Sequence, residues 1–348
     1  AYQSEQTFIA AGVPFFYPRS THDIIFMGLQ AFALSRLAGC CVGMKIVVDT
    51  ADTSSIIDLN TIRPTRSVYN DLKSGNADPV HIGRHDPALL REDRLYNLRI
   101  PAVRKFQDAQ NINTPLHPQP SKTRLGIVAV GKTLYEINDA LHSLGIDDAA
   151  KTGIGLFSVV MPWPINPESI RDFAANYEEL LVVEEKRPLV EEQIARAVIN
   201  MTDRAVITGK LSPDGSPLLP ETGELTHAIL MAAIHTRAAA HGIITELPQR
   251  ADSKPLVLPP IATRTPWYCA GCPHNTSTKL PDDEIVGMGI GCHSISGFLT
   301  PDDITNFTQM GGEGAFWIGR SPFSSHNHSF QNIGDGTYAH SGYLGIRA

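Results

Sequence analysis

Leu125-Gly-Ile-Val-Ala-Val130-Gly131 is an apolar, β-branched run closed by a glycine, the pattern of a strand buried on both faces. Thr133 stands where an N-cap is expected, and Leu134, Ile137, Leu141 and Leu144 recur on one face of the helix that follows, which Gly145 closes. Gly155-Leu-Phe-Ser-Val-Val160 is the next strand, with Pro162 and Pro164 forcing the exit. A helix is expected over 168–177, and Leu180-Leu-Val-Val-Glu184 is a third strand. Pro188 then opens a helix that carries Val190, Ile194, Ala197 and Val198 on one side. Strands and helices alternating at this length over 123–210 imply a parallel α/β sheet.

Upstream, residues 10–50 read as strand, helix, strand. Gly12-Val-Pro-Phe-Phe-Tyr-Pro18 is the first strand, and Ser20 to Asp23 supply an N-cap with an acid in the first turn. Ile24, Met27, Ala31 and Leu34 follow at helical spacing; the apolar segment 26–38 carries Arg36 and reads as a buried helix. Val42-Gly-Met-Lys-Ile-Val-Val-Asp49 is the second strand, and Cys40-Cys41 at its entry is expected in the core. From 60 to 120 periodicity fails except for a helix within 87–105, as in an extended connector. Glu184-Glu185-Lys186-Arg187 reads as a solvated or interdomain charge cluster, and the proline-rich stretch 237–266 as a second linker.

Apolar residues make up 42% of the chain and charged ones 19%, the balance of a globular protein of two or three domains. The net charge is −7, with Lys and Arg scattered, which argues against a nucleic-acid surface. No apolar run has the length of a membrane span, so no membrane partner is expected. Cysteines without scaffold spacing point to a reducing, cytoplasmic setting. The chain begins Ala-Tyr-Gln-Ser, without a Met or a signal-peptide core, and Tyr343-Leu-Gly-Ile-Arg-Ala348 stops without a cap. Both ends are expected to be cuts through a longer polypeptide.

The chemistry concentrates after residue 262. In Cys269-Ala-Gly-Cys272-Pro-His274 the two thiols are spaced to reach one metal, and Gly291-Cys292-His293 adds a third. By spacing alone three readings stay open. One is a thiol or disulfide pair without metal; another is zinc completed by His274 or His293. The third is an iron–sulfur cluster whose fourth ligand lies outside the chain. Gly334-Asp335-Gly336 follows a strand-like Ser329-Phe-Gln-Asn-Ile333, where glycines let backbone N–H groups approach a diphosphate and the Asp can ligate Mg²⁺. Met310-Gly311-Gly312-Glu313-Gly314 is a second glycine loop able to reach the same ligand. His340, just past the GDG turn, is a candidate cofactor contact; His326 and His328 read as exposed.

These motifs together resemble the fused, single-chain form of indolepyruvate ferredoxin oxidoreductase, among the thiamine-diphosphate-dependent 2-oxoacid:ferredoxin oxidoreductases. The stretches that carry the resemblance begin at Ser35, Leu181, Cys269, Gly289, Phe307 and Phe330 and span nearly the whole chain. The resemblance implies an α/β protein of several parallel-sheet domains. Residues 1–60 would end a pyrimidine-type thiamine-diphosphate domain, 61–120 form the connector, and 121–235 a transketolase C-terminal-like domain. Residues 236–261 would be a linker, and 262–348 the front part of the diphosphate-binding domain. It also implies that Cys269, Cys272 and Cys292 ligate a [4Fe–4S] cluster. Asp335 would bind Mg²⁺ between Gly334 and Gly336 at the diphosphate, with Gly311, Gly312 and Glu313 lining the cofactor loop. The Glu that protonates the aminopyrimidine, the rest of the thiamine motif and the fourth cluster Cys would lie outside this chain, so no catalytic residue is assigned within it.

The implied activity is oxidative decarboxylation of an aryl-2-oxoacid such as indolepyruvate, with electrons passing to ferredoxin and the acyl group to coenzyme A. The remaining segments of the polypeptide would be needed, the full-length protein would be a homodimer, and this stretch alone is expected to be inactive. Two other readings compete: a zinc-stabilised binding module in which the GDG turn is structural, and a non-redox thiamine decarboxylase or lyase, which leaves the cysteine spacing unexplained.

Overall fold

The computed structural model describes residues 3–62, 80, 85–116, 123–244, 265–279, 284–299 and 304–348. The chain forms two compact units, 1–251 and 252–348, taken here one at a time. Parts of the expected connector (63–79, 81–84 and 117–122) and of the second linker (245–264) lie outside the described residues.

In the first unit a five-stranded sheet runs in the order β3-β5-β4-β6-β7. Its strands are β3 (Thr114–Pro115), β4 (Thr123–Val130), β5 (Ile154–Val159), β6 (Tyr177–Val183) and β7 (Val206–Thr208). Only β3 is antiparallel to its neighbour; the rest pair parallel, with Ile127 opposite Leu156 on one side and Leu181 on the other. Every described side chain of β4 and β5 apart from Arg124 is buried, as expected of a parallel sheet covered on both faces. Leu125, Ile127 and Ala129 face α5 (Thr133–Ser143) and α8 (His227–Ala240); Val128 and Val130 face α6 (Pro167–Ala174) and α7 (Val190–Val198). Each large aliphatic side chain removed from water in these layers contributes about 1.5–3 kcal/mol.

The helix register of α5 is as the sequence predicts, but its start differs. Thr133 does not cap the helix. Its hydroxyl donates to the carbonyls of Val130 and Val183, tying the end of β4 to that of β6. Strand β6 ends at Val183, and Glu184 turns inward rather than into solvent.

Upstream, α1 (Glu5–Ala10) precedes β1 (Phe15–Phe16), which pairs parallel with β2 (Gly43–Met44). Helix α2 (Thr21–Ala38) starts where the sequence placed its cap, with the Ser20 hydroxyl accepting from the Asp23 amide at 3.3 Å. It is buried along Met27, Gln30, Leu34 and Ala38 only, and Ile25, Leu29 and Phe32 face outward, so the expectation of a buried helix holds for one face. The predicted strand at 42–49 is cut short at Met44. Among the described residues β1 is its sole partner strand, and Val48–Ala51 closes a helical turn instead. Cys41 is exposed and Cys40 half-buried, so this pair is not core. The helix expected within 87–105 is longer: α3 (Ala88–Arg94) passes through a π-helical segment, Leu95–Arg99, into α4 (Ile100–Ala109).

In the second unit three parallel strands, β8 (Val286–Met288), β9 (Ile304–Phe307) and β10 (Phe330–Gln331), run in the order β10-β8-β9. Helix α9 (Ala315–Arg320) lies between β9 and β10 in sequence, and α10 (Asp335–His340) and α11 (Tyr343–Arg347) follow. Among the described residues no helix is long and apolar enough to cross a membrane.

Candidate functional site: the loops at one edge of the β10-β8-β9 sheet

Because the three strands are parallel, the loops leaving their C-terminal ends share one edge of the sheet. Gly289 to His293 follow β8, Gln309 to Glu313 follow β9, and Asn332 to Gly336 follow β10. The chain goes from central β8 to β9 on one side and later to β10 on the other. The β8/β10 gap is therefore a topological switch point, where open α/β sheets bind ligands. Every glycine and acid that the sequence assigned to a cofactor lies in these loops or on α10.

The two central loops run nearly backbone against backbone. A β-carbon on Gly289 would stand 2.7 Å from the Asn332 carbonyl oxygen, and one on Gly334 would stand 2.8 Å from that of Ile290. Only glycine fits at either position without moving backbone. Gly334 precedes α10, so Asp335 occupies its first turn and projects an exposed carboxylate from the switch-point edge. Gly336 is exposed with nothing near it. Gly311 (φ +93°) and Gly312 turn the β9 loop, and Glu313, 1% exposed, accepts the Gly311 amide at 2.6 Å on Oε2 while its Oε1 is buried without a partner. His340 sits exposed at the far end of α10.

The cysteine turn supplies an aromatic and sulfur cluster. The Cys272 amide donates to the Cys269 carbonyl at 3.0 Å, and Cys272 Sγ lies 3.1 Å from Nδ1 of His274. The His274 ring stacks on Tyr268 at 5.5 Å and meets His293 edge-on at 4.8 Å. Burial, with a smaller push from His274, moves the His293 pKa down against the pull of Asp335, and its Nδ1 is buried without a partner. All five cysteines are free thiols, with Cys269 and Cys292 exposed and Cys272 half-buried. Among the described residues no three His, Cys, Asp or Glu side chains come together as a group able to hold a metal ion.

A profile described as the indolepyruvate oxidoreductase domain matches residues 117–252. A protein of Pyrococcus abyssi named indolepyruvate oxidoreductase subunit IorA is 26% identical over 87% of this chain and 45% of its own length. The subunit of that name from Methanothermobacter thermautotrophicus is 28% identical over 95% of this chain and 52% of its own. The chain resembles indolepyruvate oxidoreductases over that domain and most of its own length. It spans about half the length of the relatives it matches. Among solved structures, a 2-oxoglutarate:ferredoxin oxidoreductase from Magnetococcus marinus aligns at TM-score 0.37 and 11% identity, covering 64% of this chain and 42% of that one. A split-gene transketolase aligns at 0.36 and 13%, covering 66% and 58%.

Two groups bear on this sheet edge, thiamine diphosphate with Mg²⁺ and an iron–sulfur cluster. Thiamine diphosphate fits: the backbone contacts at Gly289 and Gly334 hold the two switch-point loops together, the space beside Gly336 is open, and Asp335 offers an exposed carboxylate next to it. The unpartnered Nδ1 of His293 and Oε1 of Glu313 are polar atoms without a protein partner. A Mg²⁺ bound between one carboxylate and diphosphate oxygens needs no closed protein cage, so the lack of a ligand triad does not bear on it. The cluster set fits less well. Cys269, Cys272 and Cys292 are not gathered into one metal-binding group, and Cys272 Sγ lies against the His274 imidazole.

The sequence reading missed a second polar centre, at the C-terminal edge of the first sheet. Lys132, 6% exposed, reaches Asp49 at 2.5 Å, Glu136 at 3.0 Å and Glu185 at 3.3 Å. Burial works against the Lys132 charge, but these carboxylates outweigh it and hold its pKa up. Glu184 is buried and accepts the amides of Leu189, Val190 and Glu191 at 2.9–3.1 Å, capping α7. The Glu184-Glu185 pair is therefore structural and inward-facing, not a solvated cluster. A signal existed: a charged pair directly after a buried strand must face either water or the next helix N-terminus.

Proposed function

We propose that this chain is part of a thiamine-diphosphate-dependent oxidoreductase acting on aryl-2-oxoacids of the indolepyruvate type, with ferredoxin as electron acceptor and coenzyme A as acyl acceptor. The observation that carries the reading is the convergence of Gly289, Gly334, Asp335 and the Gly311–Glu313 loop on one edge of a parallel sheet, at its switch point. The resemblance to indolepyruvate oxidoreductases supports it. The chemistry supplied by the bound cofactor is stabilisation of the carbanion left when a 2-oxoacid loses CO₂.

The residues of this chain do the binding and orienting. Backbone amides beside Gly334 and at the start of α10 would face the diphosphate, and the Asp335 carboxylate would hold a Mg²⁺ that neutralises it. Glu313 fixes the Gly311 turn through its 2.6 Å bond and so sets the wall of the cofactor loop. His293, whose pKa burial and His274 move down, presents an imidazole in the same loop cluster as Asp335. Cys269, Cys272 and Cys292 are the thiols from which a [4Fe–4S] cluster would be built.

The ungathered thiols favour one second reading, a non-redox thiamine decarboxylase or lyase built on the same sheet edge. An anaerobic assay of the full-length protein with indolepyruvate, coenzyme A and a viologen acceptor separates the two. The redox reading expects viologen reduction that needs thiamine diphosphate and stops in Asp335→Asn. Release of CO₂ with no reduction of the acceptor would sink it in favour of the lyase.

A further inference from the structure

The first unit holds a cavity of about 590 Å³ between the turn at 11–13, the end of α2 and the α3 helix where it enters its π-helical segment. Ser35, Cys40, Cys41, Arg91, Tyr96 and Arg99 line its polar part. The three walls are tightly joined: a β-carbon on Gly12 would stand 2.5 Å from Leu95 Cδ2, so the helix rests directly on the turn. The wider π-helical turn at Leu95–Arg99 carries Tyr96 and Arg99 onto the cavity wall, and such turns recur at functional sites.

Arg99 is the informative residue. It is 4% exposed, and its Nε donates to the Val80 carbonyl at 2.6 Å. Its Nη2 is buried with no hydrogen-bond partner, and among the described residues no ion pair with a carboxylate forms at this guanidinium. A guanidinium keeps its charge, and a buried charge without a counterion is strongly disfavoured. Among the described residues, what this guanidinium lacks is an anion. Arg99 also lies near enough to Cys40 to oppose the burial that pushes that thiol up to about 11. Arg91, exposed at the rim, adds a second cation beside the opposing Glu92, and Val13, Leu95 and Tyr96 supply apolar wall.

We propose that this cavity binds a small organic oxyanion, a carboxylate or phosphate carried on an apolar body, with the oxyanion on Arg99 and the body against Leu95 and Tyr96. Planar, bidentate recognition by a guanidinium suits both oxyanions, which is why the two share one proposal. The site lies in a different unit from the sheet-edge loops and does not depend on the thiamine reading.

Exposed Cys41 on the wall reports occupancy, and exposed Cys269 in the second unit is the internal reference. Full-length protein is labelled with iodoacetamide, and the rate at each cysteine is followed by peptide mass spectrometry. The probes are inorganic phosphate, phenylacetate and neutral phenylacetamide. At ten times its Kd, a bound anion should slow labelling of Cys41 about tenfold while Cys269 is unchanged. Protection by phosphate identifies a phosphate-bearing ligand, and protection by phenylacetate an aryl carboxylate; either supports the site. Arg99→Met should abolish the protection, and phenylacetamide should give none. Absence of protection by both anions overturns the proposal. So does equal protection by phenylacetamide, a control that stands even if Arg99→Met fails to fold.

Discussion

Gly334 and Ile290 bring the loops after β10 and β8 into backbone contact: a β-carbon on Gly334 would lie 2.8 Å from the Ile290 carbonyl oxygen. Neither atom is at the end of a flexible side chain, so a methyl group there must push the two loops apart. Gly334→Ala is expected to cost about 1–3 kcal/mol of stability, the usual range for overpacking. It should also weaken thiamine diphosphate binding. Gly336→Ala, with nothing near its added methyl, should leave the melting temperature unchanged while still weakening the cofactor. Thermal melts with and without thiamine diphosphate check both; equal stability loss in the two variants would contradict the geometry.

Glu179 on β6 is buried between Arg237 and His241 of the α8 end, accepting from Arg237 Nε at 2.7 Å and Nη2 at 2.6 Å. Arg237→Met removes the main counter-charge and should cost about 3 kcal/mol in denaturant unfolding, the scale for breaking a buried pair. A change under a third of that would show Thr208 and His241 suffice.

The same carboxylate sets an acid limit. Burial alone would raise the Glu179 pKa, but the bonds from Arg237, Thr208 and His241 outweigh it and the net shift is downward. A depressed folded pKa means the contribution is complete above the unfolded carboxylate value, about 4.3, and is lost as pH falls below it. Stability measured from pH 6 down should fall through this window, and less steeply in Glu179→Gln. Parallel curves would show that this group carries no such linkage.

Lys132→Met leaves Glu185 and Glu136 facing each other without their shared cation. The expected cost is about 3 kcal/mol at neutral pH, because like charges remain partly buried. Adding Glu185→Gln to this variant should recover part of the loss, which a double-mutant cycle in urea measures. Strictly additive effects would contradict a direct coupling.

The first sheet was legible because the centres of β4, β5 and β6 are apolar, β-branched runs and the faces of α5 and α7 repeat at helical spacing. The GDG turn, the Gly311–Glu313 loop and the cysteine turn were legible as motifs, since each is local. What the sequence did not show is who meets whom. The bond from Thr133 to the end of β6, the inward turn of Glu184 and the pairing of Cys272 with His274 all depend on segments far apart in the chain or on the path of a turn. The predicted strand at 42–49 failed for a related reason. β-branched residues favour a ladder, yet β1 ends at Phe16, whose carbonyl takes the Lys45 amide, and the chain then closes the helical turn Val48–Ala51.

The most direct test is calorimetric titration of thiamine diphosphate with Mg²⁺ into the full-length protein and into Asp335→Ala. The account predicts one site per chain, Mg²⁺-dependent, weakened at least about a hundredfold in Asp335→Ala, a loss near 2.7 kcal/mol. Binding of equal strength in the two proteins, or none in either, would contradict it.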